Sequence, residues 1–304
     1  MHMRNHTSQN QLMYCRNTGR IRHFLSRITT VFRKPHHQPR HGSISDGSVR
    51  RLSLNASVVF LILTVTAAAD AGDTPADECR FAAVAPVIDG SATDVIWKSA
   101  QRIDQFSLPW LQEQNRPAST PTSAALLWDT DYLYFIAEMQ DKDLFADITK
   151  RDGDLWNNDV FELFFKPSTV KPGYYEFEVN PHGAVLDIFL PHKGVDARKH
   201  FETEAFHVDV KISLRGTLNK HLDVDQGWTV EGRIPWNDFS PTGGAPNAGD
   251  RWTYALCRYD YSTANLKAPE LSTSAPLKSS TSPSFHLIED YAPLVFVGPT
   301  PEYP

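Results

Sequence analysis

The residues best suited to chemistry fall in two short runs. One is Trp156-Asn157-Asn158-Asp159-Val160-Phe161-Glu162-Leu163-Phe164-Phe165, the other Tyr175-Glu176-Phe177-Glu178-Val179-Asn180. In an extended strand alternate side chains share a face, so Val160, Glu162 and Phe164 point one way and Phe161, Leu163 and Phe165 the other. By the same period Glu176, Glu178 and Asn180 lie together, opposite Tyr175, Phe177 and Val179. A carboxylate among Phe and Val side chains is costly without a partner. Two neighbouring strands of this kind would present Glu162, Glu176, Glu178 and Asn180 in one concavity, with Trp156 at its rim. Acceptors beside an aromatic plane suit a sugar ring. The plane takes the C–H face, while carboxylates and amides take the hydroxyls. The same pattern also fits glutamates on the solvated face of a sheet.

The elements that must carry these residues are short strands bounded by Gly, Pro, Asn and Asp. They read at 123–128, 132–139, 160–165, 174–179, 184–190, 208–214, 228–234, 252–257 and 294–297. Only 93–100 and 236–239 look helical. Many short strands with few helical periods predict an all-β protein, a single antiparallel β-sandwich with one or two short helices. Residues 263–284, rich in Ser, Thr and Pro, read as a long loop.

Charge divides the chain. Residues 1–52 balance at +9 and residues 53–304 at -15, within a formal net charge of -6. So acidic a body argues against nucleic acid as a partner. Between the two regimes runs an apolar stretch, 56–69, shorter than the roughly 20 residues that cross a bilayer. Arg50 and Arg51 precede it and Ala69-Asp70-Ala71 follows, the layout of a signal peptide cleaved after Ala71, the alternative being an uncleaved anchor. The expected organisation is a basic leader at 1–48, a signal segment at 49–71, a lead-in at 72–83, a sandwich at 84–297 and a tail at 298–304. Translation is expected to start near Val49, leaving 1–48 as a gene-model extension. The mature chain is then exported, to the periplasm, the cell surface or beyond, with no membrane span after cleavage.

In an oxidising compartment Cys79 and Cys257 are expected to form one disulfide, the alternative being a buried Cys257 thiol. Asp129/Asp131, Asp141/Asp143, Asp152/Asp154 and Asp223/Asp225 are oxygen-rich pairs of the kind that hold a structural Ca²⁺. Asp at hairpin turns is their commoner use. The histidines lack zinc spacing, and no nucleophile elbow, P-loop or dinucleotide fingerprint occurs.

Six landmarks in order carry a family resemblance. They are Pro86-Val87-Ile88-Asp89-Gly90 with Trp97; Leu127-Trp128-Asp129 with Tyr132-Leu133-Tyr134; Trp156 with Asp159 and Glu162; Phe177 with Val179-Asn180; Gly227-Trp228 with Val230-Glu231; and Phe285-His286 with Leu294 and Phe296. The set resembles carbohydrate-binding module family 9, one of the DOMON-like β-sandwiches, over about 84–297. The resemblance implies a terminal sugar clamped between two Trp rings, with a Glu and an Arg on its hydroxyls. Trp156 matches the first ring, Glu162 the Glu and Asn180 the family's Asn, while Glu176 stands where Gln or a similar residue is expected. Two positions depart: the second ring falls on Thr273 and the Arg on Glu178. Loss of one stacking face costs about 2 kcal/mol, roughly thirtyfold in affinity. Tyr259 or Tyr261 offers a substitute ring, or packs in the core or at an edge.

The reading that follows is a non-catalytic carbohydrate-binding domain recognising a sugar or glycan end in polysaccharide catabolism. Two alternatives stay open. A glycoside hydrolase would use Glu162 with Glu176 or Glu178 as its carboxylate pair. A haem-binding electron-transfer domain would use Met139 with a His as axial ligands.

Overall fold

The computed structural model describes residues 75–167, 170–200, 206–261, 268–278 and 282–299. The leader, the signal segment and most of the tail lie outside the described residues. No helix among the described residues is long and apolar enough to cross a membrane.

The strands are β1 (Asp77–Phe81), β2 (Arg102–Ile103), β3 (Thr122–Trp128), β4 (Tyr132–Gln140), β5 (Val160–Lys166) and β6 (Tyr174–Val179). They continue with β7 (Val185–Leu190), β8 (Asp209–Arg215), β9 (Gly227–Pro235), β10 (Arg251–Asp260), β11 (Glu270–Thr273) and β12 (Ala292–Val297). Hydrogen bonds join them in the order β7-β6-β5-β10-β12-β1-β3-β4-β9-β8, with β11 beside β10 and β2 beside β3. The helical stretches Val95–Ser99 and Trp236–Thr242 are 3₁₀ turns. Pro241, inside the second, has no N–H to carry an α-helix onward.

The sheet curls so that its two halves face each other. Phe161, Leu163 and Phe165 of β5, with Tyr175, Phe177 and Val179 of β6, share one core with Leu126, Leu133, Phe135, Trp228 and Val230 of the opposite half. This is the sandwich, and alternation on β5 and β6 put the right side chains into it. Each large apolar side chain buried there contributes about 1.5–3 kcal/mol. Met139 belongs to the same core, which gives it a packing role.

Three expectations need correction. The sheet is mixed rather than purely antiparallel, because β1 runs parallel to both its neighbours, β12 and β3. That strand falls inside the presumed lead-in, so the domain starts earlier than residue 84. The loop 263–284 contains β11, paired with the end of β10 where Cys257 faces Thr273.

The disulfide is the third. Cys79 and Cys257 are both buried free thiols. Cys79 pairs with Phe296, whose N–H bonds to the Asp250 carbonyl. From 250 to 257 the strand advances about 23 Å, far beyond the roughly 7 Å between Cα atoms that a bridge tolerates. The two also face different cores, Cys79 the central one and Cys257 the second apolar cluster.

Several landmark residues prove to be fastenings of the fold. The Glu231 carboxylate accepts from Asp89 N at 3.0 Å, Gly90 N at 2.8 Å and Trp97 Nε1 at 2.7 Å, tying the Pro86–Trp97 stretch across β9. Gly90 turns there at φ +83°, and a Cβ would sit 3.1 Å from the Ile212 backbone. Asp129 closes the β3–β4 hairpin by accepting from Asp131 N, Tyr132 N and the Tyr134 hydroxyl. That is the turn role of Asp.

Candidate functional site

The register of β6-β5-β10 brings the three glutamates together. Glu162 lies opposite Glu178 on one side and Cys257 on the other, and Glu176 lies opposite Phe164. One carboxylate oxygen from each falls within 4.8 Å of the others. The expected shared face is therefore real, but it is roofed. Leu108, Trp110, Leu155, Leu277, Phe285 and Tyr291 pack over this side of the sheet, and Glu162, Glu176 and Glu178 are only 2%, 5% and 2% exposed.

Burial dominates the electrostatics. Desolvation pushes the Glu162 carboxyl well above the usual range, and the neighbouring Glu176 adds to it. Glu178 is pushed up the same way, first by burial and then by the charges of Glu162 and Glu176. Glu176 is raised by burial and partly relieved by His286. His286 Nδ1 lies 2.9 Å from the Tyr174 hydroxyl. Tyr259, half-buried against Phe285 at 5.4 Å between ring centroids, also has its phenol raised, by burial and then by the field of the three glutamates.

Trp156 lies on the 3₁₀ turn Leu155–Asn157, half-buried against the second apolar cluster. The Arg198 guanidinium lies over its ring, 5.4 Å from the centroid. Two contacts hold Arg198 on Asp154, Nη1 to Oδ1 at 2.7 Å and Nη2 to Oδ2 at 2.8 Å. Tyr261 supports the turn from behind, its hydroxyl donating to the Trp156 carbonyl at 2.8 Å. Burial raises that phenol to about 12. So placed, Tyr261 is scaffolding rather than a second stacking plane.

Asn180 is a correction. Its Nδ2 donates to the Ile148 carbonyl at 2.7 Å and Asn158 Oδ1 at 3.0 Å, while its Oδ1 accepts from His182 N and Ala184 N. All four hydrogen-bonding positions of the amide are spent inside the fold, leaving none for a ligand. Thr273, at the second-ring position, is fully buried, with its hydroxyl bonded to Ala275 N and the Cys257 thiol. Its backbone bridges to Ser107 in both directions at 3.0 Å, so the segment carrying Trp110 closes over that place.

A second acidic group, Asp141, Asp159 and Asp260, was not read from the spacing of the chain. It contains its own cation. Buried Arg258 reaches Asp141 at 3.0 Å and Asp260 at 3.1 Å. Asp159 accepts from Phe145 N and Tyr261 N. One signal was available: in Tyr254, Leu256, Arg258, Asp260 the charged residues continue the inward phase of an apolar strand. Of the aspartate pairs, Asp143 faces His221, Asp154 holds Arg198, and Asp225 accepts from Leu144 N and Thr217 N. Arg198 itself had no sequence signal.

A curled β-sandwich with an aromatic ring beside sequestered carboxylates is the frame on which the comparisons fall. The chain belongs to the family described as carbohydrate family 9 binding domain-like, whose model matches residues 88–280. Endo-1,4-β-xylanase A of Thermotoga maritima is 27% identical over 162 residues, 52% of this chain and 13% of the xylanase. That of Thermotoga neapolitana is 34% identical over 163 residues, with the same coverage. The chain thus matches about an eighth of each xylanase. A putative carbohydrate-binding protein from Bacteroides uniformis shares the fold at a TM-score of 0.57 and 15% identity, over 73% of this chain and 100% of that one.

Proposed function

We propose that this chain is an exported, non-catalytic carbohydrate-binding domain that recognises the end of a glycan during polysaccharide breakdown, with Trp156 as its stacking platform. The observation that carries this reading is the half-buried Trp156 ring, held from behind by Tyr261 and flanked by Asp154 and Arg198. A ring supported in this way offers a rigid plane, and the Asp154 carboxylate beside it offers a hydroxyl partner. Among the relatives that match it are parts of endo-1,4-β-xylanases, which supports a β-1,4-linked ligand. The glutamates speak against hydrolysis. Catalytic carboxyl groups flank the bond they cleave, whereas these three lie under a roof, at 2%, 5% and 2% exposure.

With a single ring, affinity should be about 0.1–1 mM, or roughly -5.5 to -4.1 kcal/mol. The test is calorimetry with xylo- and cello-oligosaccharides and glucose on the full chain. Trp156→Ala should weaken binding by about 2 kcal/mol, with circular dichroism showing that the fold is kept. Glu162 is buried under the roof, so Glu162→Gln should leave sugar affinity within about twofold. Unchanged binding in Trp156→Ala would move the site elsewhere.

A further inference from the structure

We propose that Glu162, Glu176 and Glu178 form a binding site for one divalent cation of the calcium class. Three carboxylates share a buried space, and among the described residues no Lys or Arg forms an ion pair with any of them. The contrast with the second acidic group is direct, since Arg258 sits inside that one. Glu178 supplies the second observation. Its Oε2 is buried with no hydrogen-bond partner, on a residue 2% exposed. Buried polar atoms are almost always satisfied, so a buried carboxylate oxygen with no donor, beside two other carboxylates, suits a cation.

The donor set points to the class of ion. Oxygens bound to one Ca²⁺ at about 2.3–2.6 Å can lie up to about 4.6–5.2 Å apart, a spread that admits these three. The three ligand atoms lie within 4.8 Å of one another with no movement of the strands. The donors are hard oxygens with neither imidazole nor thiolate among them, which disfavours zinc. Their placement is rigid, because the register of β5 and β6 sets Glu162 against Glu178. Three carboxylates do not complete a shell of six to eight oxygens, so water fills the remainder.

The cation site uses none of the platform's groups, Trp156, Asp154 and Arg198, and the experiment keeps the two apart. The full chain is stripped with chelator, then titrated with CaCl₂ at pH 7.5 by calorimetry and thermal melting. Calcium at a hundredfold excess over Kd should raise Tm by about 5–10 °C. Glu178→Gln removes one buried charge, so its chelated form should melt no lower than chelated wild type while its calcium response falls below about 1 °C. Asp159→Asn should keep the response. An unresponsive wild type, or a Glu178→Gln variant that still responds, overturns the proposal. Loss of the response in Asp159→Asn alone overturns it too, placing the ion in the other cluster. Sugar binding is measured in chelator and in calcium. If it persists while calcium binding fails, only this inference falls.

Discussion

Arg198 offers the sharpest test of the platform, because a sugar stacked on Trp156 must take the place its guanidinium now holds. The guanidinium carbon lies 5.4 Å from the ring centroid, inside the range where a cation is drawn to an aromatic face. The Arg198 side chain is 54% exposed, so this contact belongs at the low end of the scale, about 0.5–1 kcal/mol. The ion pair to Asp154, also partly exposed, holds Arg198 at the ring edge but need not break when the ring face is vacated. Of these two contacts of Arg198, a ligand displaces the one to the ring. Arg198→Ala should remove that competitor and tighten oligosaccharide binding by about two- to fivefold. Arg198→Lys, with a compact and more strongly hydrated charge, should fall between the two. The assay is isothermal calorimetry at two salt concentrations, since a charged competitor loses ground as salt rises. Weaker binding in Arg198→Ala would refute the reasoning, because the guanidinium would then be a partner of the sugar and not its rival.

Three further outcomes follow from the packing. Glu231→Gln leaves one acceptor oxygen for the three donors of Asp89, Gly90 and Trp97; it should cost about 2–4 kcal/mol in urea unfolding, and a loss below about 0.5 would show the fastening to be idle. Burial raises the Asp187 carboxyl to about 6, against the opposing pull of Arg151. Its neutral form is the favoured one, so its stabilisation is full below about pH 4 and is lost as pH rises through 6. Relative to wild type, Asp187→Asn should therefore gain up to about 3 kcal/mol between pH 4 and 7, and parallel pH profiles would contradict this. Alkylation of the unfolded, unreduced chain should label both Cys79 and Cys257 on peptide mapping, and a linked peptide pair would restore the disulfide.

The sequence by itself settled what the backbone period controls. Alternation in β5 and β6 put Phe161, Leu163, Phe165, Tyr175 and Phe177 into the core and the three glutamates on the opposite face, and the structure keeps both assignments. The landmark residues were legible as well, though their work is mostly structural: Glu231 fastens Trp97 and Asp129 closes a hairpin. Tertiary structure decided what lies over those faces. The roof above the glutamates comes from Trp110, Leu277, Phe285 and Tyr291, far along the chain from residue 162, and no local pattern foretells where they settle. The same holds for β1, whose parallel partners are β12 and β3, and for Arg198, which reaches Trp156 from another segment. It also separates Cys79 from Cys257, because strand order and register fix distances that composition cannot. A side chain's face is set by its two neighbours in sequence, whereas its exposure and its partner are set by whichever distant segment can pack there at lowest free energy.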